Sequence, residues 1–273
     1  MGRYCQIVVG PAGAGKSTYC ARLQTHLGLL HRIAHVFNFD PASDMVPYDP
    51  AVDIRELITT DDVMDYCGLG PNGALVYALE HALTEAQDSW LDDALGYEDD
   101  YLIIDFAGQI ELFTHYDCLG SLARYLQRRG YSVLTVYILE AQRFHSRSAC
   151  LSSALVALGA MAGCGTAFLP IMSKIDLLDP KVKKKLIDNP ESSSELTWIH
   201  AASERPLDDA IERAVFQEGL PNFIPYTAAE PETLEEIVIR ADIALGYGED
   251  EEPPEPREAD MGMDVDMSVG VDG

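Results

Sequence analysis

Gly10-Pro11-Ala12-Gly13-Ala14-Gly15-Lys16-Ser17 stands between an apolar run that ends at Val9 and a helix-forming run from Thr18 to His26. This order constrains the chain more than any other feature. A strand feeding a glycine-rich turn, then Lys-Ser, then a helix lets backbone N–H groups close around a phosphate chain. Gly13 and Gly15 allow the turn to bring those groups inward without a Cβ clash. Lys16 reaches the outer phosphate oxygens, the Ser17 hydroxyl suits Mg²⁺, and the helix start adds its positive dipole end. The fold must therefore place a strand end and a helix N-terminus around one anion.

Further apolar runs at Tyr4–Val9, Ile33–Phe39, Tyr101–Asp105, Ser132–Leu139, Ala167–Ser173 and Asn222–Tyr226 alternate with helical periodicity. Leu75, Leu79 and Leu83 recur at helix spacing, as do Leu119, Leu122 and Leu126. Strands apolar on both faces, separated by helices, predict an α/β fold: a P-loop NTPase with a mainly parallel sheet flanked by helices. The partition expected is one domain over residues 1–248 and a disordered acidic tail over 249–273. That tail holds ten acidic residues, a single arginine (Arg257) and three prolines, too little apolar surface to offset ordering entropy. Two segments exceed a minimal strand–helix count: a proline-rich stretch from Pro41 to Gly73 and a polar one from Asp179 to Gly219, read as a variable helical insertion.

The formal net charge of −26 over 273 residues excludes a general nucleic-acid-coating surface and argues against docking on anionic lipid. No direct nucleic-acid or membrane partner is expected, and no unbroken apolar run reaches the ~18 residues a spanning helix needs. The stretch from Leu151 to Pro170 predicts a buried helix feeding a buried strand. Six cysteines without a C-x-x-C pair, and a start that leads straight into a strand, point to free thiols in a reducing compartment. His31 and His35 lack the further ligands of a zinc set.

Tyr101-Leu102-Ile103-Ile104-Asp105 ends a strand on an acid, and in a P-loop protein such an acid holds Mg²⁺ through its water shell. Gly108 offers an N–H to the terminal phosphate, while Gln109 and Glu111 sit where an attacking water is oriented. Polar residues opening a surface helix would look the same. Asp40 ends the second strand at the same sheet edge, as a second catalytic candidate or as a turn-former before Pro41. Ser173-Lys174-Ile175-Asp176 closes a strand with K-x-D spacing. Its carboxylate suits the N1–H and exocyclic amine of guanine, which adenine does not present, and the Lys174 stem can lie along the ring. Arg55 is open as a charge-stabilising finger or as a surface arginine pairing with nearby acids.

Gly70-Pro71-Asn72, in register with Gly13 to Thr18, Asp40-Pro41-Ala42, Gly108-Gln109-Ile110-Glu111 and Ser173 to Asp176, resembles the GPN-loop GTPases. The likeness runs from about Arg3 to about Tyr247. It implies GTP/GDP binding with Mg²⁺ by Gly13, Ala14, Gly15, Lys16, Ser17, Thr18, Gly108, Ser173, Lys174 and Asp176. Ser17 and Asp105 would serve the metal; Asp40, Asn72, Gln109 and Glu111 would serve hydrolysis. It also implies a heterodimer with a paralogous GPN-loop GTPase, and work with RNA polymerase II subunits or assembly factors, with RNA polymerase III a second candidate. The expected location is cytoplasmic with shuttling to the nucleus; Lys183-Lys184-Lys185 is too short for a clear nuclear signal. The sequence departs from the family pattern at Ala107, where proline is common, and at Glu140 and Ser173. Two rival readings stand beside this one. One is a nucleotide-binding, poorly hydrolysing interaction subunit; the other is a P-loop small-molecule kinase whose lid would draw on Arg124, Arg128 and Arg129.

Overall fold

The computed structural model describes residues 2–86, 90, 91, 95, 101–144, 146–188, 210, 213, 215 and 219–248. The expected tail, 249–273, and most of the expected insertion lie outside the described residues. Seven strands form one sheet: β1 (Arg3–Val9), β2 (Ala34–Phe39), β3 (Val52–Asp53), β4 (Tyr101–Phe106), β5 (Tyr131–Glu140), β6 (Ala167–Ser173) and β7 (Ile224–Pro225). Their order is β3-β2-β4-β1-β5-β6-β7, and every pairing is parallel. Eight helices are described: α1 (Lys16–Leu29), α2 (Thr60–Cys67), α3 (Pro71–Ala86), α4 (Glu111–Thr114), α5 (Cys118–Arg128), α6 (Arg147–Cys164), α7 (Pro180–Asp188) and α8 (Pro231–Leu245).

The two-residue side-chain period of a strand divides the core. Cys5, Ile7 and Val9 of β1, with Leu102, Ile104 and Phe106 of β4, pack with Leu75 and Leu79 of α3, Leu119 and Leu122 of α5 and Ala154 of α6. Tyr4 and Val8, with Tyr101 and Ile103, pack with Leu23 and Leu27 of α1 and Ile237 and Val238 of α8. One polar residue, Gln6, is fully buried in β1. Its amide donates to the Tyr101 hydroxyl at 2.6 Å and accepts from that of Tyr19 at 2.9 Å, so its burial leaves neither amide atom unbonded.

The expected α/β fold is present, with two corrections. A seventh strand, β3, and helix α2 occupy the Pro41–Gly73 stretch, which the sequence marks only as proline-rich chain beyond the minimal strand–helix count. Helix α2 begins at a capping box in which Thr59 and Asp62 satisfy each other's backbone N–H groups. The buried helix expected from Leu151 is α6, beginning four residues earlier. By length and composition it is the one helix among the described residues that could cross a bilayer. Ser152 and Ser153 break its apolar run, and Cys150, Ala154, Ala157, Ala160 and Cys164 lie in the core.

Parallel register brings the functional strand ends to one edge. Val8 of β1 and Asn38 of β2 both stand level with Asp105, Val9 stands level with Tyr137, and Glu140 pairs with Ser173. The P-loop therefore lies between the ends of β2 and β4 on one side and of β5 and β6 on the other. Ligands of open α/β sheets bind at this carboxyl edge.

Candidate nucleotide-binding site

The P-loop leaves β1 through Gly10, at φ 147°. A Cβ there would stand 2.2 Å from the Ile138 carbonyl oxygen, so only glycine passes β5 this closely. Gly13 and Gly15 also have positive φ, and α1 starts directly at Lys16. The buried Lys16 ammonium donates to the Pro11 carbonyl at 3.4 Å. Desolvation pulls its pKa below the usual lysine value, opposed by Asp105 and Asp40. A buried cation at a helix start beside a glycine-rich turn suits an anion.

Asp105 is 2% exposed. One carboxylate oxygen, Oδ2, accepts from the Tyr48 hydroxyl at 2.7 Å, and Ser17 also hydrogen-bonds the side chain. The other, Oδ1, is buried without a partner. Burial raises the pKa of Asp105, with Ser17, Tyr48 and Lys16 acting against the rise. Asp40 is raised in the same way, and its Oδ1 accepts from the Ala42 N–H at 3.0 Å. An unbonded carboxylate oxygen beside a serine hydroxyl, next to a phosphate cradle, fits a Mg²⁺ ion with its water shell. The expected pair, Ser17 and Asp105, is thus brought together.

Gly108 follows β4 and lies against the P-loop. A Cβ on it would meet the Lys16 ammonium at 2.7 Å and the Ala12 Cα at 3.0 Å, so the close approach requires glycine. Next to it, the Gln109 amide donates to the Asn72 side-chain oxygen at 2.7 Å. Two of the proposed hydrolytic residues, far apart in sequence, therefore meet. Asn72 is exposed and sits in the first turn of α3 rather than in an extended switch loop. Glu111 is exposed at the start of α4, where its charge suits the helix dipole.

At the other end of the site the structure corrects one role. Ser173 is buried and donates to the Ala14 carbonyl at 2.7 Å, so it ties β6 to the P-loop rather than reading a base. The Lys174 ammonium is held by the Gly13 carbonyl and Glu140, each at 2.6 Å. Glu140, a departure from the family pattern, is thus a partner of the lysine whose stem is expected to lie along the base. Asp176 is exposed, and its Oδ1 accepts from the Thr227 hydroxyl at 2.8 Å. The Thr227 hydroxyl takes one lone pair of Oδ1, so both carboxylate oxygens keep the acceptor capacity that a donor pair such as guanine's requires. Thr227, just after β7, holds a proposed site residue, and sequence reasoning missed it. Nothing in Tyr226-Thr227-Ala228 marks it as polar machinery until β7 is seen beside β6.

Arg55 is no free finger. Its guanidinium holds Asp53 and donates to the Ser43 and Asp44 carbonyls at 3.0 and 2.9 Å. Burial pushes the Asp53 pKa upward, but the hydrogen bonds from Arg55 and Asn38 outweigh it and hold the group below the usual range. Arg124, the first candidate of a kinase-like lid, is paired with Asp117 on the surface of α5.

Residues 8–247 match a family model described as a conserved hypothetical ATP-binding protein. Among curated relatives, the chain is similar to GPN-loop GTPase 3 of Dictyostelium discoideum (38% identity, 94% of this chain and 92% of that one). It is similar to GPN-loop GTPase 3 of Mycosarcoma maydis (35%, 96% and 98%) and of Saccharomyces cerevisiae (36%, 94% and 98%). Its fold is shared with a crystal structure of a GTPase in apo form from Pyrococcus abyssi, at a TM-score of 0.74 and 24% identity, covering 89% of this chain and 98% of that one. With the motif set assembled on one sheet edge and the relatives matched almost end to end, the chain belongs to the GPN-loop GTPases.

Proposed function

We propose that this GTPase works in a pair with a paralogous GPN-loop GTPase, and that the pair assists assembly and nuclear import of RNA polymerase II, with RNA polymerase III a second client. The observation that carries the pairing is the Asn72–Gln109 hydrogen bond at the exposed rim of the site. Groups that orient a hydrolytic water work best where bulk water is excluded. Here they face solvent, and a second chain laid across the nucleotide face would cover them. The client rests on the family resemblance of the motifs.

Guanine is favoured over adenine because Asp176 offers an acceptor where adenine would present one too. Lys16 and the P-loop N–H groups hold the phosphates. Ser17 and Asp105 would hold Mg²⁺, which when bound neutralises charge on the transferring phosphoryl group. Gly108 lies close enough to the P-loop to donate to the terminal phosphate. Asp40, Gln109, Glu111 and Asn72 orient the attacking water, without a covalent intermediate. Neither nucleic acid nor membrane has a part in this cycle, which runs in the cytoplasm with passage to the nucleus. One observation favours the slow-hydrolysing alternative: the Asn72–Gln109 pair lies open to solvent, so a partner would be needed to cover it.

The test is capture of partners from the protein's own cell extract with GDP or a non-hydrolysable GTP analogue, read by mass spectrometry, with single-turnover hydrolysis before and after adding the captured GTPase. Recovery of a paralogous GTPase with polymerase subunits, in nucleotide-dependent amounts, and faster hydrolysis in the pair are expected. Recovery of neither, or no change in rate, overturns the proposal.

A further inference from the structure

Tyr48 belongs to none of the nucleotide motifs. It stands in the proline-rich stretch after β2, between Pro47 and Asp49, and its hydroxyl donates to Asp105 Oδ2 at 2.7 Å across 57 residues of sequence. The stretch is tied down on both sides of it. The Ala51 N–H donates to the Val36 carbonyl at 2.8 Å, and Arg55 reaches back to the Ser43 and Asp44 carbonyls while gripping Asp53. Asn38 of β2 joins this brace, donating to Asp53 at 2.9 Å and to Ser43 at 3.2 Å. The phenol ring packs against the α1/α8 side of the core. The hydroxyl is therefore delivered to Asp105 by a fixed arm.

We propose that Tyr48 is a positioning residue for Mg²⁺. By holding Oδ2 it fixes the carboxylate plane so that the unbonded Oδ1 faces the metal's water shell. It also makes the stretch from Asp40 to Asp53 part of the metal site. This inference rests on the reading of Asp105 and Ser17 as the Mg²⁺ pair. A carboxylate in water keeps both oxygens solvated and rotates freely. A buried one with a single anchored oxygen has its second lone pairs aimed in advance, and aiming a ligand beforehand lowers the ordering cost of binding. A phenol does this without adding charge, whereas a lysine or arginine at the same place would neutralise the carboxylate and compete with the cation.

The experiment follows release of a fluorescent GDP from the full chain while Mg²⁺ is titrated, and again in excess EDTA, for the unsubstituted protein and for Tyr48→Phe. Phenylalanine keeps the ring packing and removes only the hydroxyl. The Mg²⁺ concentration that half-maximally slows release is expected to rise about 10-fold in Tyr48→Phe, the size of one lost hydrogen bond to a charged group. Release in EDTA is expected to be the same in both proteins. An unchanged midpoint overturns the proposal. So does a shift to lower Mg²⁺, which would make Tyr48 a plug over Asp105, and so does equal acceleration in EDTA, which would make it mere support for the pocket. Asp105→Asn separates the two layers of argument. If that variant responds to Mg²⁺ like the unsubstituted chain, the metal assignment itself fails; if it loses the response while Tyr48→Phe keeps it, only the role of Tyr48 fails.

Discussion

Asp105 holds a charge in a place that costs the empty protein stability. Its pKa is raised by burial, so the folded state binds a proton more readily than the unfolded chain does. A group shifted in this direction contributes stability below its unfolded pKa, and the contribution is lost as pH rises through the folded value. Above its unfolded pKa, burial of Asp105 therefore opposes folding. Asp105→Asn should melt higher than the unsubstituted chain at pH 7 without nucleotide, by a few degrees at ~2–4 °C per kcal/mol for a chain of this size. The difference should shrink as pH falls through the carboxylate range. Calorimetry at several pH values checks it, and an equal or lower melting temperature at pH 7 refutes it. That a stabilising change would remove the proposed metal ligand is the expected signature of a functional group. At this scale the sequence was informative where chemistry is local. Lys16, Ser17 and Asp105 could be named from their own neighbours. Tyr48 and Thr227 could not, because each acts on a carboxylate more than 50 residues away, and their roles exist only once β4 and β6 have taken their places.

Strands buried on both faces announce themselves, and β1, β2, β4, β5 and β6 were legible within one residue or so at each end. The stretch from Pro41 to Gly73 was not. Its strand is two residues long and its helix eight, shorter than any periodic pattern can mark. What specifies them is pairing on β2, the Thr59–Asp62 box and the Arg55 brace. This stretch delivers Asn72 to Gln109, so the α3 start and the loop after β4 act as one unit. Asn72→Ala and Gln109→Ala should each slow single-turnover hydrolysis while leaving GDP affinity within about two-fold. Their combined effect should fall short of the sum of the two by roughly 0.5–1.5 kcal/mol, the net worth of one hydrogen bond. Strict additivity in that double-mutant cycle would show that the bond has no part in turnover. Ser173 teaches the converse lesson. The sequence placed it correctly at a strand end and misassigned its direction, since a small hydroxyl at this register meets the Ala14 carbonyl before it can reach a base.

Across the whole molecule the sheet separates function from fastening. Every proposed nucleotide residue lies at the carboxyl edge, while the opposite edge holds the ends of the described chain together. Near that edge Arg32 grips Asp242 of α8 through two bonds of 2.9 and 2.8 Å, and its guanidinium lies 3.9 Å over the Tyr247 ring. The Tyr4 hydroxyl donates to the Gly246 carbonyl at 3.4 Å and accepts from the Gly248 N–H at 3.2 Å. The Tyr4 and Tyr247 rings stand 4.7 Å apart. This clasp closes α8 over the face of the sheet that α1 also covers, so loosening it should weaken the fold without touching the site. Arg32→Ala should cost about 1–2 kcal/mol, combining a half-shielded bidentate ion pair with a cation–π contact. Arg32→Lys should recover only part of that, because an ammonium keeps the charge and loses the planar fork and the stacking. Urea unfolding of the three proteins measures the losses, and GDP titration of each should agree within about two-fold. A large drop in GDP affinity in Arg32→Ala at full occupancy of the native state would mean that the two edges are mechanically coupled, and the division of labour across the sheet would fall with it.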